Sequence, residues 1–276
     1  MSGFIDRLFG SGDDGVVRGP EFAGVQYAAD ADALSEQVDE HLCGVDGSGS
    51  QGVLRGVVAP YGDYEYAGPT MAAAYRRVAD AEFTPRRILA IASSARVPFR
   101  GLAVAGHDAW ETPLGEVPVD VEATQEAVDR EMARPIEAAF EPAAALELQL
   151  PFLQRVAEGV PWFPVLVGDA DVSDVAALLE SFWDDETLLV VAGNLSEGFG
   201  REEAGEIDRE TIAAIERGEA GGIGRRSTAS RLPLEGMIAA REGTETRVEL
   251  LDYRTSAETS GEADQVVGYA AFEITR

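Results

Sequence analysis

Four short apolar runs constrain this chain more than any other feature. Residues 53–59, 88–92, 162–167 and 187–192 are built mostly from Val, Leu, Ile, Ala and Phe, with little polar alternation. Strands read this way when both faces are covered, as in a parallel sheet with helices above and below. Helical spacing lies between them: Leu34, Val38 and Leu42 mark residues 32–42, and further helices are expected over 71–79, 122–133, 146–158 and 172–182. Pro69 stands where the second of these could begin. The run–helix–run order of 162–167, 172–182 and 187–192 is that of a βαβ unit. A further strand is expected at 102–105, and an edge strand or hairpin at 112–120, where alternation meets proline and glycine. Helices near 203–217 and 228–240 and strands near 247–253 and 266–274 complete the pattern. No repeat, heptad run or long linker interrupts it, so one α/β domain over 1–276 is expected, with 1–20 as a loose N-terminal segment.

Charge narrows the setting. The 276 residues carry 50 acidic against 22 basic side chains, a formal net charge of −28, and every basic residue is arginine. Such a surface has no sequence-independent hold on nucleic acid phosphate and is repelled by anionic membranes. It tolerates concentrated cations that screen its self-repulsion, which suggests a halophilic, cytoplasmic protein. Cys43 is the sole cysteine, so no intramolecular disulfide can form. The apolar patch of Phe4, Ile5, Leu8 and Phe9 is broken by Asp6 and Arg7 and is not read as a signal peptide. No apolar run approaches the roughly 20 residues that cross a bilayer.

Several ordered pieces then identify a family. They are Ala23-Gly24 with Tyr27, Val58-Ala59-Pro60 followed by Tyr66-Ala67-Gly68, WETPLGEVPVD at 110–120, ELQLPFLQ at 147–154, FPVLVG at 163–168 and VVGYAA at 266–271. In order and spacing the chain resembles the Memo family over nearly its whole length. The resemblance implies a three-layer α/β/α sandwich with a mixed, mostly parallel central sheet, similar to class III extradiol dioxygenases. It also implies a pocket of histidine, cysteine and aspartate at strand ends, suited to iron or copper.

The pocket positions have changed. The family's Pro-His-Ala-Gly-Tyr turn corresponds to Pro60-Tyr61-Gly62-Asp63-Tyr64, and its Gly-Pro-Ser-His turn to Ala92-Ser93-Ser94-Ala95. Its Glu-His-Ser segment is Ala143-Ala144-Ala145, ahead of Glu147. Its Ser-Ser-Asp-x-x-His segment is Ala192-Gly193-Asn194-Leu195-Ser196-Glu197, and its cysteine falls near Ala229. Tyr61, Asp63, Ala95, Asn194, Glu197 and Ala229 are therefore the expected remnants of that pocket. With only His41, His107 and Cys43 elsewhere, no metal site and no cofactor is expected.

Other groupings carry less. His41 and Cys43 lack the second pair that structural zinc needs, and are read as a helix-terminal histidine and a buried thiol. His107-Asp108 lacks a nucleophile elbow. Asn194-Leu195-Ser196 fits a glycosylation pattern by accident. Gly221-Gly222-Ile223-Gly224 with Arg225-Arg226 could cradle an anion but follows no strand. Asp63, Glu65, Glu197 and Asp208 could offer oxygen to a hard cation, but carboxylates are common in a chain this acidic. Tyr61, Tyr64 and Tyr66 crowd one strand-end turn, where they either close the old pocket or reshape it for a small organic ligand.

The expectation is a non-catalytic Memo-like protein that binds a protein partner or small ligand, with self-association open. The rival is a dioxygenase-like or other oxidoreductase or lyase enzyme working through Tyr61, Asp63, Asn194 and Glu197. A third reading is a structural subunit beside another Memo-like or radical-SAM-associated protein, by family analogy alone.

Overall fold

Apolar runs that are covered on both faces should send alternate side chains into two separate cores, and they do. The computed structural model describes residues 15–46, 52–224 and 226–276. The patch at Phe4 to Phe9, part of the Gly/Ser loop after residue 46, and Arg225 lie outside the described residues.

In chain order the first half contains β1 (Val17–Arg18), α1 (Ala31–Cys43), β2 (Leu54–Ala59), α2 (Tyr64–Ala79), β3 (Arg87–Ser93), β4 (Leu102–Val104), β5 (Ala109–Thr112), β6 (Gly115–Pro118), α3 (Val121–Asp129) and β7 (Arg134–Pro135). It continues with α4 (Ala144–Glu147), α5 (Leu150–Val156), β8 (Trp162–Val167), α6 (Val172–Phe182) and β9 (Thr187–Ala192). The last part holds β10 (Glu197–Phe199), α7 (Arg201–Arg217), α8 (Arg231–Ala240), β11 (Arg247–Thr255), α9 (Ala257–Ser260) and β12 (Val266–Thr275).

The main sheet runs β10-β12-β2-β9-β3-β8-β4-β7, with β11 also paired to β12. Strands β2, β9, β3 and β8 are mutually parallel, while β12 and β4 join antiparallel. On β3, Ile88, Ala90 and Ala92 enter one core and Leu89 and Ile91 the other. On β9, Leu188, Val190 and Ala192 oppose Leu189 and Val191 in the same way. The first core is closed by α1, α2, α4 and α5, and the second by α3, α6, α7 and α8. This is the three-layer α/β/α arrangement with a mixed sheet, and the strand period of two produces it directly.

Local chemistry sets the helix starts. Asp30 accepts from Ala33 N at the head of α1, and Asp120 from Ala123 N at the head of α3, each satisfying an orphan amide. The expected helix at 146–158 is two helices, because Pro151 has no N–H to donate to Glu147 and the chain turns at Leu148-Gln149. The helix expected from 71 begins at Tyr64, with Pro69 inside it rather than at its start. The hairpin expected at 112–120 spans 109–118 and lies within a separate small sheet, β1-β5-β6. That sheet also corrects the loose-segment reading of 1–20 where the chain is described, because Val17–Arg18 pairs with β5 and Arg18 is buried.

Close approach fixes two family glycines. A Cβ on Gly68 of α2 would strike the imidazole of His41 on α1, and one on Gly268 of β12 would strike the Asp208 carboxylate. Neither position can take a larger residue without displacing the half-buried His41 ring or the buried Asp208 carboxylate.

Candidate functional site

Parallel strands place their carboxyl ends on one edge of a sheet, and the loops leaving them form its crevice. The loops after β2, β3 and β9 do so here, around a cavity of about 770 Å³. Tyr61, Gly62 and Asp63 come from the first, Ser93, Ser94, Ala95 and Arg96 from the end of β3 and its loop, and Asn194 from the third. Glu197, Ala229 and the segment Ala143-Ala144-Ala145 add further wall, with Tyr66 from α2 and Tyr269 from β12. All six residues expected from the sequence, Tyr61, Asp63, Ala95, Asn194, Glu197 and Ala229, line this one cavity.

Backbone bonds hold the loops in register. Tyr61 N donates to Asn194 Oδ1 at 2.9 Å, and Gly193 N donates to Ala59 O at 2.9 Å, so the β2 and β9 exits are tied together. Thr228 Oγ1 donates to the Asn194 carbonyl, bringing the Ala229 segment alongside. The amide at Asn194 thus serves the backbone. Ala95, Glu197 and Ala229 are exposed at the rim, and Tyr61, Asp63 and Asn194 are half-buried.

Motif ELQLPFLQ supports the floor. Gln149 Nε2 donates to Pro60 O at 3.1 Å and Ala145 O at 3.0 Å, while Gln149 Oε1 accepts from Tyr75 OH at 2.8 Å. Glu147 is fully buried and accepts from Arg18 Nη1 (2.6 Å), Phe22 N (2.8 Å), Tyr27 OH (2.8 Å) and Glu21 N (3.1 Å). Its role is to anchor the segment carrying Phe22, Val25 and Gln26, which also reach the cavity wall.

The tyrosines divide sharply. Of the seven in the chain, Tyr27 donates to Glu147, Tyr64 to Leu148 O, Tyr75 to Gln149 and Tyr253 to Asp208. The hydroxyls of the remaining three, Tyr61, Tyr66 and Tyr269, have no hydrogen-bond partner among the described residues, and all three residues line the cavity. Tyr269 is only 4% exposed, and its hydroxyl stands 3.1 Å from where a Cβ on Gly62 would be. Burial, reinforced by Glu197, raises the pKa of Tyr61. Burial first, then Asp63 and Glu197, pushes Tyr269 up to about 12. Both hydroxyls therefore stay protonated at neutral pH and act as neutral donors and acceptors.

The crowded-turn reading is corrected in part. Tyr64 faces the core and bonds Leu148 O, whereas Tyr61 and Tyr66 face the cavity. Sequence reasoning missed Tyr269, although it lies in the quoted VVGYAA, because only the antiparallel pairing of β12 with β2 and β10 brings it alongside Gly62. It also missed Arg96, the one basic residue of the lining, which is exposed and has no ion-pair partner among the described residues.

A family-type metal does not fit these residues. The lining offers the carboxylates of Asp63 and Glu197 and no imidazole or thiolate, whereas iron or copper favours nitrogen and sulfur donors. Among the described residues no group of three or more His, Cys, Asp or Glu is placed to hold a metal ion. Asp208 is buried on Ser196 N and Tyr253 OH, and Glu65 is exposed away from the lining. His41 packs against Gly68, Tyr64 and Phe152. Burial lowers its pKa, and does the same to His107 beside Trp110. Cys43, the last residue of α1, is exposed, which corrects its reading as a buried thiol. No helix among the described residues is long and apolar enough to cross a membrane.

Comparison with known proteins agrees with the motif order. A family profile described as "Memo-like protein" matches residues 18–273. A MEMO1 family protein of Aquifex aeolicus is 28% identical over 265 residues, covering 92% of this chain and 97% of its own length. One from Methanopyrus kandleri is also 28% identical, covering 94% and 99%. Among solved structures, an uncharacterized protein of Escherichia coli K12 aligns over 80% of this chain and 99% of its own, at 13% identity and a TM-score of 0.49. Matched over residues 18–273, in motif order as in profile, the chain belongs to the Memo family.

Proposed function

We propose that this protein binds a small ligand in the cavity without catalysing its conversion. One observation carries the reading: the three tyrosine hydroxyls unspent within the described protein are the three that line the cavity. These hydroxyls are not among the buried partnerless polar atoms of the described residues, so they are open to the cavity, where fixed polar groups of this kind orient a complementary ligand. The same groups argue against turnover. A phenol whose pKa is raised is a poor base, Asn194 is committed to the Tyr61 backbone, and neither provides a nucleophile. The charge of −28 supports placing this binding protein in a salt-rich cytoplasm.

A second reading keeps a specific observation in its favour. Tyr61, Asp63, Asn194 and Glu197 do converge on one concave site, as an enzyme with altered groups would require. The two are separated by ligand-observed NMR with a small-molecule library in multimolar KCl, on wild type and Ala95→Trp. Binding that is lost when the tryptophan obstructs the cavity rim, with every ligand recovered unchanged, is the expected result. Redox or hydrolytic turnover abolished by Tyr61→Phe or Asn194→Ala would overturn it.

A further inference from the structure

We infer that the ligand of this cavity is a small organic ammonium ion, held by the rings of Tyr61, Tyr66 and Tyr269 and the carboxylates of Asp63 and Glu197. The inference rests on the cavity being a binding site and names the class of molecule it takes.

The rings supply the first argument. The rings of Tyr27, Tyr64 and Tyr75 pack against other aromatic rings of the core. Those of Tyr61, Tyr66 and Tyr269 have no aromatic or guanidinium partner among the described residues. Three phenol rings line this one cavity, and the face of a phenol ring carries the negative quadrupole that attracts a cation. Tyrosine serves this purpose while its hydroxyl stays neutral, which burial ensures at Tyr269.

The carboxylates supply the second. Carboxylates are abundant on this chain, so two on a cavity wall carry little weight alone. These two line the same cavity as Tyr61, Tyr66 and Tyr269, and after burial they are the charges that push the Tyr269 hydroxyl up. Asp63 heads α2 without capping it, and neither carboxylate has an ion-pair or side-chain hydrogen-bond partner among the described residues. Five side chains thus share one region in which Tyr269 is almost wholly buried and its hydroxyl unpartnered.

Competing ligand classes fit less well. An anion would face two carboxylates with only Arg96 to offset them, and that side chain is exposed on the β3 side of the rim. A transition metal lacks donors, as shown above. A neutral apolar molecule would leave the hydroxyls and carboxylates unanswered. An alkylammonium satisfies both sets: its charge answers the carboxylates and its alkyl groups lie on the rings.

The test is calorimetric titration of choline, and of its isostere with carbon in place of nitrogen, into the full chain at constant KCl. Choline is expected to bind at least about tenfold more tightly than the isostere, the scale of a desolvated cation–π and charge contribution. Glu197→Gln and Tyr66→Leu, with melting temperatures checked against wild type, should each weaken choline several-fold, and Glu197→Gln should leave the isostere unchanged. Equal affinity for the two probes would overturn the ammonium inference while leaving the cavity as a binding site. Failure of choline to bind would overturn it as well. If no library compound were displaced by Ala95→Trp either, the binding reading would fall with it.

Discussion

Replacing Glu147 by alanine tests how the cavity's supporting wall is held. The carboxylate is fully buried and its partner Arg18 is 5% exposed, so solvent screens the pair little. Arg18 lies at 2.6 Å from Glu147, over the ring of Trp110, and also donates to Phe140 O and Glu141 O. Glu147→Ala strands this guanidinium without its counter-charge, a change that costs about 3–5 kcal/mol. It also orphans the amides of Glu21 and Phe22 and the Tyr27 hydroxyl. At roughly 2–3 °C per kcal/mol for a chain of this size, the melting temperature should fall by about 6–15 °C. The double variant Arg18→Met/Glu147→Leu should regain part of that loss, since removing both charges is cheaper than stranding one. Thermal and urea unfolding at fixed KCl measure both. A loss under about 1 kcal/mol for Glu147→Ala would refute the claim that the pair is an uncompensated buried charge when broken.

Three further outcomes are expected. Gly68→Ala should destabilise by about 1–3 kcal/mol, because the new methyl meets the His41 imidazole across α1 and α2, and His41→Ala should relieve part of the cost in a double-mutant cycle. Burial raises the pKa of Asp208 above 3.8, so the folded state holds that proton more tightly and stability drains away as pH rises through the raised value. Asp208→Asn should therefore gain on wild type with rising pH above 3.8 in unfolding titrations, and a gap that stays flat would contradict the assignment. The net charge of −28 predicts a higher melting temperature in about 2 M than in about 0.1 M KCl, with equal stability at both contradicting the salt-screening account.

Much of this fold is legible in the chain, for identifiable reasons. Residues 162–167 and 187–192 are strands to the residue because a run buried on both faces has no competing amphipathic reading. The family motifs are legible where they do packing work: Gly68 accommodates His41, Gly268 accommodates Asp208, and Glu147 and Gln149 clamp distant backbone. Misreadings arise where a tertiary partner decides. Pro69 looks like a helix start, yet the Asp63 backbone carbonyl accepts from Tyr66 N and Ala67 N and opens the helix a turn earlier. The short strands β1, β7 and β10 have too few residues for a period to show. Six positions singled out by their place in the family pattern line the one cavity. Tyr269 was not singled out, because its approach to Gly62 depends on how β12 lies against β2, which no local pattern encodes. Cys43 was misread because composition favours burial for a thiol while its helix end faces solvent.

The central claim is that a Memo scaffold persists here without the metal chemistry that a histidine and cysteine pocket would support. Elemental analysis of the protein purified in multimolar KCl, without chelators or tags, tests it most directly by counting iron, copper, zinc and manganese per chain. The account predicts metal near zero per chain. Metal near one per chain would contradict it and show that Asp63, Glu197 and the tyrosines had become a new ligand set.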